Sequence, residues 1–122
     1  MTPLSGERIR FFCAFRLKHE PGSEAEAEFL REYVALGSLP GVENFELMRE
    51  ITPPEWSTCE HVVMMEFADL AAHTAFHANP TQNKFVTERW DAEVAEFKAG
   101  NAVATTAPPV TMPVADLATP RP

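Results

Sequence analysis

His61 and Tyr33 are the two side chains whose type and setting best suit chemistry in this sequence. His61 heads the apolar run Val62-Val63-Met64-Met65. An imidazole there is a candidate general base, its proton affinity set by burial and by any nearby carboxylate. Tyr33, the single tyrosine, falls among Phe29, Leu30 and Val34, from where it can donate a hydrogen bond to a substrate oxygen. The plainer alternatives are a strand-end histidine satisfied by backbone or water and a core tyrosine satisfied locally. Asn79 and Gln82 offer neutral amides that could hold a carbonyl, although Asn before Pro80 is also ordinary helix-stop chemistry. His73 and His77 stand four residues apart, with Asp69 four residues earlier, a spacing that suits two ligands on one helix face. No further Cys/His cluster accompanies them, so no metal site is expected. Cys13, central in an apolar stretch, reads as a small hydrophobe, and Cys59 lies too far along a neighbouring strand to bridge to it. There is no glycine-rich phosphate loop and no Ser/His/Asp motif, and no cofactor is expected.

The elements that must position these residues are marked by periodicity. From Arg8 to Lys18, Ile9, Phe11, Cys13, Phe15 and Leu17 share one parity, which predicts a strand with one apolar face. Ser23-Glu24-Ala25-Glu26 is a capping box, opening a helix with Phe29, Leu30, Tyr33, Val34 and Leu36 on one side and Gly37 as its C-cap. Pro40-Gly41 turns the chain into a second strand over Val42–Ile51, and Thr52–Cys59 forms a loop. His61–Phe67 is apolar on both parities, so both of its faces must be covered. Asp69 caps a second helix through about Ala78, Thr81–Trp90 forms another, and a weak last strand spans Glu93–Lys98.

Composition sets the outer bounds. At 122 residues the chain suits one domain, here residues 1–98, followed by an Ala/Thr/Pro-rich segment, 99–122. Val110, Met112, Val114 and Leu117 would let that segment dock as an extended arm. Eighteen acidic against ten basic side chains give a net charge of −8, which argues against nucleic-acid or anionic-membrane binding. No apolar run approaches the roughly 18–20 residues of a membrane span. The first ten residues lack a signal-peptide layout. Two cysteines fit reduced thiols in a cytoplasm.

The order β-α-β-β-α-(α)-β predicts an α+β, ferredoxin-like fold: a four-stranded antiparallel sheet with helices on one face. Phe12, Ala14, Val62 and Met64 would occupy the other face, an apolar patch that a soluble monomer rarely tolerates. A homodimer joined through this open face is therefore expected.

Together, Arg8–Lys18, Ala27–Leu36, Leu39-Pro40-Gly41-Val42, His61–Phe67 and Ala75–Phe85 resemble the stress-responsive dimeric α/β-barrel (Dabb) domain family, and within it the olivetolic acid cyclase type. The resemblance covers about residues 8–98. It implies a dimeric α/β barrel and, for the cyclase type, an apolar helix–sheet pocket in which histidine and tyrosine promote an aldol cyclisation without a cofactor. Carried across, the pocket comprises Phe11, Cys13, Phe15, Phe29, Leu30, Tyr33, Val34, His61 and Val63. The catalytic tyrosine of the cyclase falls on Phe76, and the family's His-Pro-x-His falls on Asn79-Pro80-Thr81-Gln82. Without that base the same cyclisation is not expected. Three functions remain open: a small-molecule pocket, with or without lyase, cyclase or isomerase activity on His61; a non-catalytic stress-associated dimeric scaffold; and a cofactor-independent monooxygenase, on fold analogy.

Overall fold

Alternation dictates the central strand. In a computed structural model, which describes residues 6–104, β1 (Ile9–Leu17) buries Ile9, Cys13, Phe15 and Leu17 and turns Arg10 and Phe12 outward. It is flanked by β3 (His61–Phe67) and β4 (Val94–Ala102), and β2 (Glu43–Arg49) lies outside β3. All pairings are antiparallel, in the order β2-β3-β1-β4, with Cys13 opposite Val63 and Ala99, and Phe15 opposite His61 and Phe97. This is the expected ferredoxin-like arrangement.

Half of the capping box forms as expected, while the returning glutamate bond goes to Gly22 because the Ser23 N–H donates to the Glu20 carbonyl at 3.1 Å. Ser23 Oγ accepts from the Glu26 N–H at 3.2 Å, and Glu26 Oε1 accepts from the Gly22 N–H at 2.9 Å. The helix α1 (Glu24–Ala35) buries Phe29 and Tyr33, followed by Leu36 in a 3₁₀ turn. Val34, expected to face inward, is exposed, because a narrower stripe suffices to seat the helix. Gly37 is not a left-handed cap. It lies within the 3₁₀ turn, where a β-carbon would meet Phe45 Cγ at 2.7 Å, so its role is close approach to β2. The strand β2 is shorter than its sequence suggests. It is bulged between Glu43 and Glu46, with Asn44 at a φ of 51°, and Ile51 lies outside it, exposed.

Asp69 Oδ1 caps α2 (Leu70–His77) by accepting from the Ala72 N–H at 2.9 Å. Asn79 Oδ1 caps α3 (Pro80–Phe85) by accepting from the Thr81 N–H at 2.8 Å, with Pro80 in its first turn. The same helix then widens into a π turn, Val86–Trp90, closed by the Asp91 N–H on the Val86 carbonyl, and one further turn, Asp91–Glu93, feeds β4. β4 runs four residues past its expected end at Lys98, so Ala99–Ala102 pair with β1 rather than opening a tail. Val110, Met112, Val114 and Leu117 lie outside the described residues.

The core lies between sheet and helices, with Phe15, Phe29, Val63 and Phe67 fully buried. Each such phenylalanine contributes about 1.5–3 kcal/mol through burial. On the opposite face Phe12 and Met64 are 37% and 40% exposed, and Ala14, Val62 and Met48 are half-buried. The Phe12 ring lies over Gly100, where a β-carbon would come within 2.6 Å of its Cζ. Among the described residues no helix is long and apolar enough to cross a membrane.

Candidate functional site

The seam between the sheet and the helical segment that widens at Val86 encloses a cavity of about 190 Å³. Phe11 and Cys13 of β1, Met65 of β3 and Phe97 and Ala99 of β4 form its floor. Tyr33 of α1, Leu36 of the 3₁₀ turn after it, and Phe76 and His77 of α2 wall it, and Gln82, Phe85, Val86 and Trp90 close it from α3 and the π turn. The lining is overwhelmingly apolar, and the exposed His77, Phe97 and Ala99 mark its mouth.

Of the residues singled out in the sequence, Phe11, Cys13, Tyr33, Phe76 and Gln82 meet at this cavity. Phe15, Phe29, Leu30, Val34, His61, Val63 and Asn79 do not line it. Phe15, Phe29 and Val63 are solid core, Val34 is exposed, and Asn79 spends its side chain on the α3 cap. His61 has the expected helix-facing parity but lies at the end of its strand, stacked on Phe15 with ring centroids 5.3 Å apart. Phe15 in turn contacts Tyr33 at 5.6 Å and Trp90 at 5.3 Å, so its ring stands between His61 and the cavity wall. The partner of His61 is Glu26, with Nε2 and Oε2 3.4 Å apart.

His77 is the residue sequence reasoning placed elsewhere. Its i, i+4 relation to His73 reads only as a spacing for two ligands, with no metal site expected, and its usable signal is adjacency to Phe76 at the exposed end of α2. The two histidine rings meet edge to face at 4.4 Å, and His73 Nε2 lies 3.2 Å from Asn101 Oδ1. Met65, Leu36, Phe85, Val86, Trp90, Phe97 and Ala99 also join the lining.

Electrostatics fixes the protonation of the polar groups. Burial, with Cys13 adding to it, raises the Tyr33 phenol well above the usual tyrosine range, so it stays a hydrogen-bond donor. Burial, with a smaller contribution from Cys59, pushes the Cys13 thiol up to about 12. A thiol so raised is no nucleophile at neutral pH. Burial first, and His73 second, hold His77 below the usual histidine value, which favours the neutral imidazole. Among the described residues, neither the Tyr33 hydroxyl nor the His77 ring nor the Gln82 amide has a hydrogen-bond partner in the protein. Tyr33, His77 and Gln82 thus bring a protonated donor, a neutral base and an amide to the lining of an otherwise apolar cavity.

Comparison with known proteins agrees with this architecture. A Dabb family protein of ferredoxin-like fold from Mesorhizobium loti is 35% identical, with a TM-score of 0.78, over 82% of this chain and 99% of that one. The hydroxynitrile lyase of Passiflora edulis is 17% identical, with a TM-score of 0.70, over 85% of this chain and 99% of its own. SnoaB, a cofactor-independent oxygenase from Streptomyces nogalater, is 21% identical, with a TM-score of 0.62 and the same coverage. At these last two identities the likeness is one of fold. No curated protein sequence matches the chain. The model of the Stress responsive A/B Barrel Domain, Dabb, matches residues 9–99, and the chain belongs to that family.

Proposed function

We propose that the cavity binds a small, largely apolar organic molecule bearing a carbonyl or hydroxyl oxygen, that His77 moves a proton on it, and that Tyr33 donates a hydrogen bond to its oxygen. The observation that carries this reading is the set of three cavity-lining polar groups without protein partners in an otherwise apolar wall. Volume sets the class of ligand. An apolar cavity of about 150 Å³ accommodates benzene, so about 190 Å³ suits one ring with a few further atoms rather than a long chain. In the reaction these groups support, neutral His77 takes a proton from the substrate while the Tyr33 hydroxyl hydrogen-bonds the oxygen on which charge develops. The imidazolium then returns the proton to the product. Lyase and isomerase reactions of carbonyl compounds follow this scheme and need no cofactor. The lyase and the cofactor-independent oxygenase among the related folds support small-molecule chemistry by analogy.

Trp90 lines the cavity and supplies the assay. In a Trp56→Phe background, which removes the exposed tryptophan, Trp90 fluorescence is titrated with benzaldehyde and with a linear aldehyde of equal carbon number. Saturable quenching by the ring compound is expected, weakened about 5- to 10-fold by Tyr33→Phe through loss of one hydrogen bond. Absence of saturation, or equal response to both compounds, would overturn the reading in favour of a non-catalytic scaffold.

The second copy expected from the sequence belongs to the same proposal. Phe12 and Met64 leave an apolar centre on the helix-free face, rimmed by Arg10, Glu46, Glu66 and Lys98, a composition suited to self-association. Sedimentation velocity is expected to show a dimer that Phe12→Asp converts to a folded monomer. A native monomer at low micromolar concentration would refute it.

A further inference from the structure

On the other side of Phe15 from the cavity, three metal-ligating side chains from two parts of the chain converge. Glu26 comes from the first turn of α1, Glu60 immediately precedes β3, and His61 is the first residue of β3. Their ligand atoms all lie within 4.8 Å of one another. The backbone holds them there. The Glu60 N–H donates to the Phe15 carbonyl at 3.0 Å, and its own carbonyl accepts from the Glu50 N–H at 2.8 Å. Glu26 Oε1 is fixed by the Gly22 N–H, which leaves Oε2 directed at His61.

The His61–Glu26 distance is informative. At 3.4 Å it is longer than the roughly 2.7–2.9 Å of a charge-assisted hydrogen bond. It equals the edge of a tetrahedron about an ion with bonds of ~2.1 Å, which comes to about 3.4 Å. Both side chains are close to buried, at 12% and 13% exposure, and among the described residues neither Glu26 nor Glu60 pairs with a lysine or arginine. Two partly buried carboxylates thus lie within 4.8 Å of one imidazole, which only Glu26 contacts directly, and neither has a lysine or arginine partner among the described residues.

We propose that Glu26, Glu60 and His61 form a divalent-cation site, with one imidazole nitrogen, two carboxylate oxygens and a fourth position open to water. The donor set selects zinc-type ions over magnesium or calcium, which require six or more oxygens. The site clips the start of α1 to the head of β3 and is separate from the cavity chemistry, on which it does not depend.

Isothermal titration of chelator-treated full-length protein with Zn²⁺, alongside thermal melting, tests the site. One ion per chain, and a melting temperature raised by Zn²⁺ but not by Mg²⁺, are expected. Glu60→Gln preserves the His61–Glu26 contact yet should weaken binding at least tenfold, and His61→Gln should abolish it. His73→Gln controls for the His73–His77 pair and should leave the titration unchanged. Circular dichroism of each metal-free variant verifies its fold. Absence of stoichiometric Zn²⁺ binding, binding indifferent to Glu60→Gln, or binding lost with His73→Gln would each overturn the assignment.

Discussion

Replacing Phe15 with alanine removes a ring that is 0% exposed and touches Phe29, Tyr33, His61 and Trp90. Losing the burial of that ring costs about 1.5–3 kcal/mol. The void adds to this. A phenyl group leaves roughly 100 Å³, and if the walls close half of it, ~24 cal/mol per Å³ adds about 1 kcal/mol. The expected destabilisation is therefore about 3–4 kcal/mol, and Phe15→Leu, which keeps most of the volume, should cost about 1–2 kcal/mol. Phe97 is the matched contrast. It shares the parity of Phe15 and pairs with it across β1 and β4, but is 57% exposed at the cavity mouth, so its truncation should cost about 1 kcal/mol or less. Urea unfolding followed by circular dichroism at pH 7.5 reads all three, with the slope against urea held constant as the test of a pure stability change. If Phe15→Ala fell within about 1 kcal/mol of wild type, or below Phe97→Ala, the assignment of Phe15 as the solid partition between His61 and the cavity would be wrong.

Three further outcomes are expected. Iodoacetamide at pH 7.5 should modify Cys13 about three orders of magnitude more slowly than an ordinary thiol, since a value of about 12 depletes the thiolate to that extent; peptide mapping showing comparable rates would refute this. Because His77 is held below its usual value, the unfolded chain binds that proton more readily than the native one, so stability falls as pH drops through the ordinary histidine range near 6.5. His77→Gln should flatten the melting-temperature profile between about pH 7.5 and 5.5, and an unchanged slope would count against the assignment. Gly37→Ala should cost about 1–3 kcal/mol despite better helix propensity, because its β-carbon meets Phe45 close to the backbone, at 2.9 Å from Cβ. Gly100→Ala should cost less, since it meets only the far end of the Phe12 ring; equal losses in chemical denaturation would contradict that distinction.

What the sequence made legible follows from where burial was strong. β1 and β3 announce themselves because they lie in the middle of the sheet and one full parity must be apolar. Two capping side chains, Ser23 and Asp69, are legible because each acts locally on the N–H three residues on, whereas Asn79, which reads as a helix stop, caps the helix that follows it. β4 was read short because it is an edge strand whose helix-facing residues line a cavity mouth, leaving Phe97 and Ala99 exposed and the alternation weak. The candidate site was half legible for a related reason. Parity says which side of a sheet a residue faces, and so placed Cys13, Phe11 and His61 correctly on the helix side. It says nothing of where along the strand the helices leave a gap. His61 and Val63 share the parity of Met65, yet only Met65 reaches the cavity. The π turn left no trace in composition or spacing, so Val86 and Trp90 are legible as inward-facing residues of a helix over Thr81–Trp90 but not as part of a cavity wall.

That widened turn bears on how relatives of this chain could differ. A π turn is an α-helix carrying one residue more than its hydrogen-bond ladder needs, the surplus absorbed within a single loop of the spiral. Loss of one residue between Val86 and Trp90 would restore the regular ladder without dephasing Phe85 before it or Val94 after it. The change would fall on the part of the cavity wall that Val86 and Trp90 form. The segment thus acts as a vernier on the cavity, since deletion of one residue there alters its wall while the strands, caps and floor residues keep their register.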